Sequence, residues 1–190
     1  MIVLASSSPR RRQLLEMLGI PHVVDPSDIA EVAEPGESAG QMAVRLAREK
    51  ALQVAARHPG ARVLGADTVV VLGTRLLGKP DSPRDAMRML ADLSGREHRV
   101  VTAVALAHEG TVRQRHDVTR VWFRPFSQEL IAAYVATGEP MDKAGAYGVQ
   151  GYGAVLVERI EGDFFSVMGL PVRLVVELLE QSGEAYRFTR

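Results

Sequence analysis

Strand-like and helix-like segments alternate along this chain, but hairpins interrupt the alternation, and that pattern limits its possible folds more than any other feature. Ile2 to Ala5 reads as a short buried strand, and Ser6-Ser7-Ser8 before Pro9 offers an N-cap and a first-turn proline for a helix ending at Gly19. His22 to Val24 resumes as a strand, and Ser38 with Gln41 forms a capping box for a long helix that stops at His58-Pro59-Gly60. Arg62 to Leu72 is a strand-like run, Gly73-Thr74 turns it into Arg75 to Leu77, and Ser82-Pro83 opens a helix to about Leu93. Arg99 to His108 and Thr111 to Phe123 flank Glu109-Gly110, the pattern of a long hairpin. Ser127 caps a helix closed by Gly138, and a glycine-rich segment, Gly145 to Gly153, leads into a strand expected over Ala154 to Ile160. Pro171 starts a last helix ending before Gly183. An all-parallel sheet does not accommodate those hairpins, so the expectation is an α/β fold with a mixed sheet. The 190 residues carry neither an internal repeat nor a low-complexity linker, which predicts a single domain over residues 1–190.

Charge and composition exclude several functions. Lys plus Arg and Asp plus Glu number 23 each, so the net charge is zero, which argues against a nucleic-acid-binding protein and makes any anion site local. No cysteine occurs, which removes disulfides, thiolate zinc sites and thiol nucleophiles. The five histidines are scattered without metal-ligand spacing. Met1 to Ala5 falls far short of a signal-peptide core, and no apolar run approaches the ~18 residues of a membrane helix, so a cytoplasmic protein without a membrane partner is expected.

Within this frame, several charges stand where apolar residues belong. At helical spacing Ala43, Leu46, Ala47 and Val54 form one stripe with Lys50 in its middle; a lysine there either snorkels or serves a site. Arg11 shares a helix face with Leu15, whereas Arg12 points away. Arg10, Arg11 and Arg12 in a first turn oppose the helix dipole, so Ser6 to Ser8, free backbone N–H groups and the first two arginines read either as a phosphate cradle or as a capped helix with a solvated basic face. Asp67 interrupts the run Val63 to Leu72, where a carboxylate requires water, a metal or a cation unless it is a turn or cap residue. Glu31 is a second candidate, in an acidic loop over Asp25 to Glu37 that is longer than most connections.

Gly73 to Pro80 begins like a GxxxxGK phosphate loop, but proline replaces the hydroxyl residue and apolar residues lie between the glycines, so that motif is rejected. Lys79 remains a cation held between Gly78 and Pro80. Gly145, Gly148, Gly151 and Gly153 permit close approach to a ligand, with Tyr147, Gln150 and Tyr152 offering stacking and an amide; ligand-free surface turns are the other reading. Two carboxylates, several cations and a phosphate-type helix terminus suit metal-assisted phosphoanhydride chemistry.

Leu4-Ala5-Ser6-Ser7-Ser8-Pro9-Arg10-Arg11, Arg45-Leu46-Ala47-Arg48-Glu49-Lys50-Ala51, Gly65-Ala66-Asp67-Thr68-Val69-Val70 and Gly78-Lys79-Pro80 resemble the Maf family of nucleotide pyrophosphatases. Asp142 to Gly151 and Gly162 to Pro171 are similar to that family's C-terminal blocks. The resemblance implies an elongated α/β domain, like the inosine triphosphatases, whose twisted, mixed central sheet is flanked by helices. It implies hydrolysis of nucleoside triphosphates to monophosphate and pyrophosphate with Mg2+ or Mn2+, in a house-cleaning role, by a homodimer. The block Asp142 to Gln150 is like that of the dTTP/UTP branch rather than the 7-methyl-GTP branch. On matching positions Asp67 is the proton acceptor, and Arg10, Thr68 and Gln150 are specificity positions. Ser7 stands where many members have glycine, and Glu31 has Glu34 and Glu37 as neighbours that also fit its place.

From these readings, a metal-bound or Asp67-activated water attacks the α-phosphorus. Lys50, Lys79 and Arg11 neutralise the triphosphate, Ser6, Ser8 and Arg10 complete the substrate site, and Asp67 with Glu31 ligate the metal. A Gln150 amide pairs with uracil or thymine but, rotated, also with cytosine, so the choice of base rests on the resemblance. The competing function is a non-catalytic nucleotide-binding regulator of cell division. Lys50→Met is expected to leave stability unchanged or slightly higher while lowering activity.

Overall fold

The computed structural model describes residues 2–188. Its strands are β1 (Ile2–Leu4), β2 (His22–Val24), β3 (Arg62–Leu72), β4 (Arg75–Leu77), β5 (Glu97–His108), β6 (Thr111–Phe123) and β7 (Val157–Glu161). Its helices are α1 (Pro9–Met17), α2 (Ala39–Ala55), α3 (Pro83–Leu93), α4 (Gln128–Ala136), α5 (Phe164–Met168) and α6 (Val172–Gln181). The seven strands form one sheet in the order β2-β1-β3-β5-β6-β7, with β4 beside β3. β1 runs parallel to β2 and β3, whereas β3 with β4 and β6 with β7 are antiparallel. The sheet is mixed, as the hairpins require. Glu109 and Gly110 both adopt positive φ (49° and 73°), the conformation a two-residue hairpin turn needs between β5 and β6.

The strand expected from Ala154 begins only at Val157, because Gly151–Leu156 coils into 3-10 turns first. α5 was not foreseen; five residues are too few to display a helical period. Among the described residues no helix is long and apolar enough to cross a membrane.

By its contacts the chain divides into two compact units: residues 1–67, 102–117 and 169–190, and residues 68–101 with 118–168. The first contains α1, α2, α6, β1, β2 and the first half of β3, with Val3, Leu4, Leu15, Leu46, Ala47 and Leu64 sealed from solvent. In the second, α3 and α4 cover a core of Val70, Leu90, Leu93, Val121, Phe123 and Ile131.

Candidate active site

The geometry around Lys50 begins with a missing side chain. A Cβ at Gly65 would lie 2.2 Å from the Ala47 carbonyl oxygen and 2.7 Å from the Ala51 nitrogen, so only glycine lets α2 pack this closely on β3. The capping box at Ser38 and Gln41 fixes where α2 starts, with both reciprocal hydrogen bonds present. Ala43, Leu46, Ala47 and Val54 then face the core, and Lys50 is carried in among them, 5% exposed. Its ammonium donates to Asp67 Oδ1 at 2.6 Å and to Glu31 Oε1 at 2.5 Å. Asp67, also 5% exposed, thus finds in the first unit the cation that a carboxylate inside a strand requires.

Glu31 reaches Lys50 from the long loop, which side chains on α2 and just after its end hold in place. The Asp28 N–H donates to Gln53 Oε1 at 2.7 Å, and Gln53 Nε2 donates back to the Asp28 carbonyl at 3.1 Å. Arg45 donates to both oxygens of Glu37 at 2.8 Å and to the Val32 carbonyl at 2.9 Å, with Glu49 and Glu34 also within ion-pair range. Arg57 grips both oxygens of Asp25, and His58 Nε2 lies 2.7 Å from one of them. These hydrogen bonds, Arg57's first and then His58's, hold the Asp25 carboxyl down at about 2. Glu34 and Glu37 are therefore taken up by Arg45, and Glu31 alone of the three meets Lys50.

On α1, Leu14 and Leu15 are buried and Arg12 is turned out to Glu16, so Arg11 lies half-buried on the inner side. Arg11 Nε donates to the Gly169 carbonyl at 2.8 Å, and its Nη1 donates to Ser6 Oγ at 3.0 Å. Withdrawal from water lowers the Arg11 guanidinium from its ordinary value, against which Asp67 and then Glu31 act. The Ser8 N–H donates to Ser6 Oγ at 3.2 Å. Ser8 is the N-cap residue, yet its side chain makes no capping hydrogen bond, so α1 is not the side-chain-capped helix that was one of the two readings. Arg10 is half-buried in the same turn.

The second unit carries Thr68, half-buried, with Lys79 and Gln150 exposed. The Gly145 N–H donates to the Gly78 carbonyl at 3.0 Å, which ties the Lys79 turn to the glycine-rich segment. Gln150 lies within that segment. Tyr147, expected to offer a stacking face, belongs to the core instead. It is 5% exposed, packs edge-on against Phe123 and His98, and its hydroxyl lies 2.7 Å from His98 Nε2. Burial raises the Tyr147 phenol and depresses His98 to about 4. Tyr152 does stand in solvent.

The family described as Maf-like protein matches residues 1–182. The chain belongs to the Maf family. A dTTP/UTP pyrophosphatase from Symbiobacterium thermophilum is 50% identical over 182 residues, covering 96% of this chain and 94% of the relative. One of the same name from Moorella thermoacetica is 54% identical over 184 residues, with 96% and 95% covered. A solved HAM1 protein from Coxiella burnetii aligns at TM-score 0.46 and 18% identity over 98% of this chain and 91% of that one.

Several side chains that organise this Maf chain left no sequence signal. Gln53, half-buried on α2, and Arg57, exposed just beyond its end, occupy positions where amide and charged residues are ordinary. Glu139 reads as a solvent-facing acid beside a turn, yet its carboxylate accepts from the Tyr152 and Gly153 N–H groups and the Tyr134 hydroxyl. Backbone donors have no sequence pattern. The Cβ contact at Gly65 was legible only as part of a family block.

Proposed function

We propose that this Maf protein hydrolyses dTTP and UTP to the nucleoside monophosphate and pyrophosphate. The observation that carries the reading is the buried Lys50 held between Asp67 and Glu31, with Arg11 joined to Ser6 in the same unit. The names of the relatives, matched over almost their full length, support the same reaction. A non-catalytic regulator is not favoured, because those relatives are named for catalysis.

In this reading a water oxygen bonds to the α-phosphorus, the bond from that phosphorus to the bridging oxygen breaks, and pyrophosphate leaves. Asp67 accepts the water's proton while Lys50 fixes the orientation of its carboxylate. Arg11, Lys50 and Lys79 offset the charge on the phosphate chain, and Ser6, Ser8 and Arg10 bind it at the start of α1. Arg10, Thr68 and Gln150 set specificity as the resemblance implies.

Lys50 and Arg11 face Asp67 and Glu31 as well as the phosphate chain, so a triphosphate brings more negative charge than these cations can offset. Among the described residues no three metal-ligating side chains gather. Two carboxylates nevertheless fit magnesium, which takes one or two from the protein and the rest of its sphere from phosphates and water. Asp67 and Glu31 would hold Mg2+ or Mn2+, which supplies Lewis-acid stabilisation of the phosphate oxygens.

The family match over residues 1–182 supports reading residues 1–190 as one functional domain, and the lack of cysteine supports a cytoplasmic setting. The homodimer follows the resemblance, and sedimentation of the purified chain tests it. The reading involves neither a nucleic-acid partner, which zero net charge disfavours, nor a membrane partner. To test the activity, purified protein with magnesium is assayed on dTTP, UTP, CTP, GTP and 7-methyl-GTP for both monophosphate and pyrophosphate. Orthophosphate as the product would overturn the reaction class. Asp67→Asn is expected to lower kcat by at least ~10²-fold with nucleotide binding largely retained. Near-normal turnover in that variant would remove Asp67 from the chemistry.

A further inference from the structure

Glu139 opens a short 3-10 turn, Glu139–Asp142, just after Gly138, whose φ of 77° ends α4. Its carboxylate is committed on both oxygens. Oε1 accepts the Tyr134 hydroxyl at 2.8 Å and the Gly153 N–H at 3.0 Å, and Oε2 accepts the Tyr152 N–H at 2.8 Å. The Tyr134 oxygen in turn accepts the Gly148 N–H at 3.1 Å. Burial works against the ionised carboxylate, but the Gly153 and Tyr152 N–H groups, the Tyr134 hydroxyl and Lys143 outweigh it and hold Glu139 below the usual range.

Those anchors sit on either side of one residue. Gly148 lies two positions before Gln150, and Tyr152 two positions after it. The glycines between them are demanded by the same clamp. A Cβ at Gly151 would come within 2.6 Å of Glu139 Oε2, and one at Gly153 within 2.5 Å of the Tyr134 oxygen and 2.3 Å of the Gly148 carbonyl oxygen. Lys143 closes the base of the loop, donating to the Glu139 carbonyl at 2.5 Å and to Asp142 at 2.6 Å. Gln150 itself is exposed, so its own side chain does not fix where it points; the backbone on both sides does.

We propose that Glu139, acting directly and through Tyr134, is the positioning residue that holds Gln150 in place to select the base of the nucleotide. The inference rests on the pyrimidine-triphosphate reading above and adds the element that makes an exposed amide selective. A glutamine side chain rotates freely between presenting its oxygen and its nitrogen, so it discriminates thymine or uracil from cytosine only when the backbone sets its distance and angle. A carboxylate suits the task because it accepts several hydrogen bonds at once and donates none. Glutamine at position 139 keeps the shape but turns an acceptor into a donor facing an N–H.

The test compares wild type with Glu139→Gln and Tyr134→Phe, using dTTP, UTP and CTP hydrolysis together with amide hydrogen exchange. Glu139→Gln is expected to lower the dTTP-to-CTP ratio of kcat/KM by about tenfold, chiefly through KM for dTTP. Exchange should accelerate at Gly148, Tyr152 and Gly153 while β5 and β6 amides stay protected. Tyr134→Phe, which removes the Gly148 anchor and one of the three bonds to Glu139 but leaves the Tyr152 and Gly153 anchors, should move the ratio in the same direction by less, and it serves if the first variant does not fold. A purely structural role lowers activity on all three nucleotides alike. An unchanged ratio despite faster exchange at the loop, or unchanged exchange, overturns the inference. A wild type that releases no pyrophosphate from dTTP or UTP instead overturns the functional reading, and the inference with it.

Discussion

Two irregular segments carry proposed site residues, and they are held in opposite ways. The acidic loop, residues 25–37, is strapped by Arg45 and Gln53 of α2 and by Arg57 and His58 just after it, mostly at the surface and mostly between ionised side chains. The glycine-rich segment, residues 143–153, is held by one carboxylate and one buried phenol acting on backbone N–H groups. Exposed ion pairs are individually weak and screened by salt, so the straps work as a redundant set. Backbone donors satisfied by a single acceptor have no substitute, and losing it leaves each of them unpaired. A loop that delivers a charge tolerates motion, because Coulomb attraction falls off slowly with distance. A loop that reads the edge of a base does not, because a hydrogen bond fails within an ångström.

The largest effect is expected where the strapped loop meets the core. The expectation that Lys50→Met leaves stability unchanged or higher is revised by the geometry. With methionine there, the buried Asp67 loses a partner at 2.6 Å and is left near Glu31 without the ammonium between them. Removing one member of a buried pair costs about 3 to 5 kcal/mol, and at ~2 to 4 °C per kcal/mol the thermal midpoint should fall by roughly 6 to 20 °C. The variant's kcat/KM should also fall by roughly 10-fold to 10³-fold. A wild-type midpoint would mean that the loop swings Glu31 aside and admits water to Asp67, which makes the straps looser than described.

Much of this was readable in the chain because it follows local periodicity. The capping box at Ser38, the misplaced Lys50, the run Arg62 to Leu72 and the Glu109-Gly110 turn are short-range patterns, and each formed where expected. Lys50 showed that it needed a partner, but periodicity on one helix does not say which carboxylate comes to meet it. Tyr147 misled because glycine neighbours suggest surface, whereas the segment folds its tyrosine inward onto His98. Glu139 was missed because its partners are backbone groups separated from it by a turn.

Acid should separate the two regions in order. His98, buried against Tyr147 and Phe123, has its ring pushed down by burial to about 4 from an unfolded value of 6.5. A depressed folded value means that, below 6.5, the unfolded chain binds a proton that the folded chain refuses. Stability is therefore full above pH 6.5 and declines until about pH 4, by about 3 kcal/mol in all. Asp25, depressed to about 2 from 3.8, contributes stability that is complete above pH 4 and is lost as pH falls through 2. Amide exchange from pH 7 to 4 should open the surroundings of Tyr147 while Asp28, in the strapped loop, stays protected. His98→Gln should flatten the upper part of that profile; a profile unchanged in this variant would assign the acid sensitivity elsewhere.

The smallest effect concerns a single strap. Arg57→Gln removes a bidentate contact to Asp25, yet the Gln53 bridge and the Arg45 cluster remain, so redundancy predicts almost no change in thermal midpoint or in kcat. The consequence should be local: exchange of the Asp28 N–H, which donates to Gln53, is expected to rise about twofold to fivefold. Raising ionic strength toward ~1 M, where the screening length shrinks to about 3 Å, should produce a similar rise in the wild type. The amides of Tyr152 and Gly153 provide the contrast, because their acceptor is a partly buried carboxylate at hydrogen-bond distance rather than an exposed ion pair. Salt should leave them unmoved. If salt loosened both segments equally, the Glu139 clamp would be as screened as the ion pairs of the acidic loop, and the contrast between the two segments would fail.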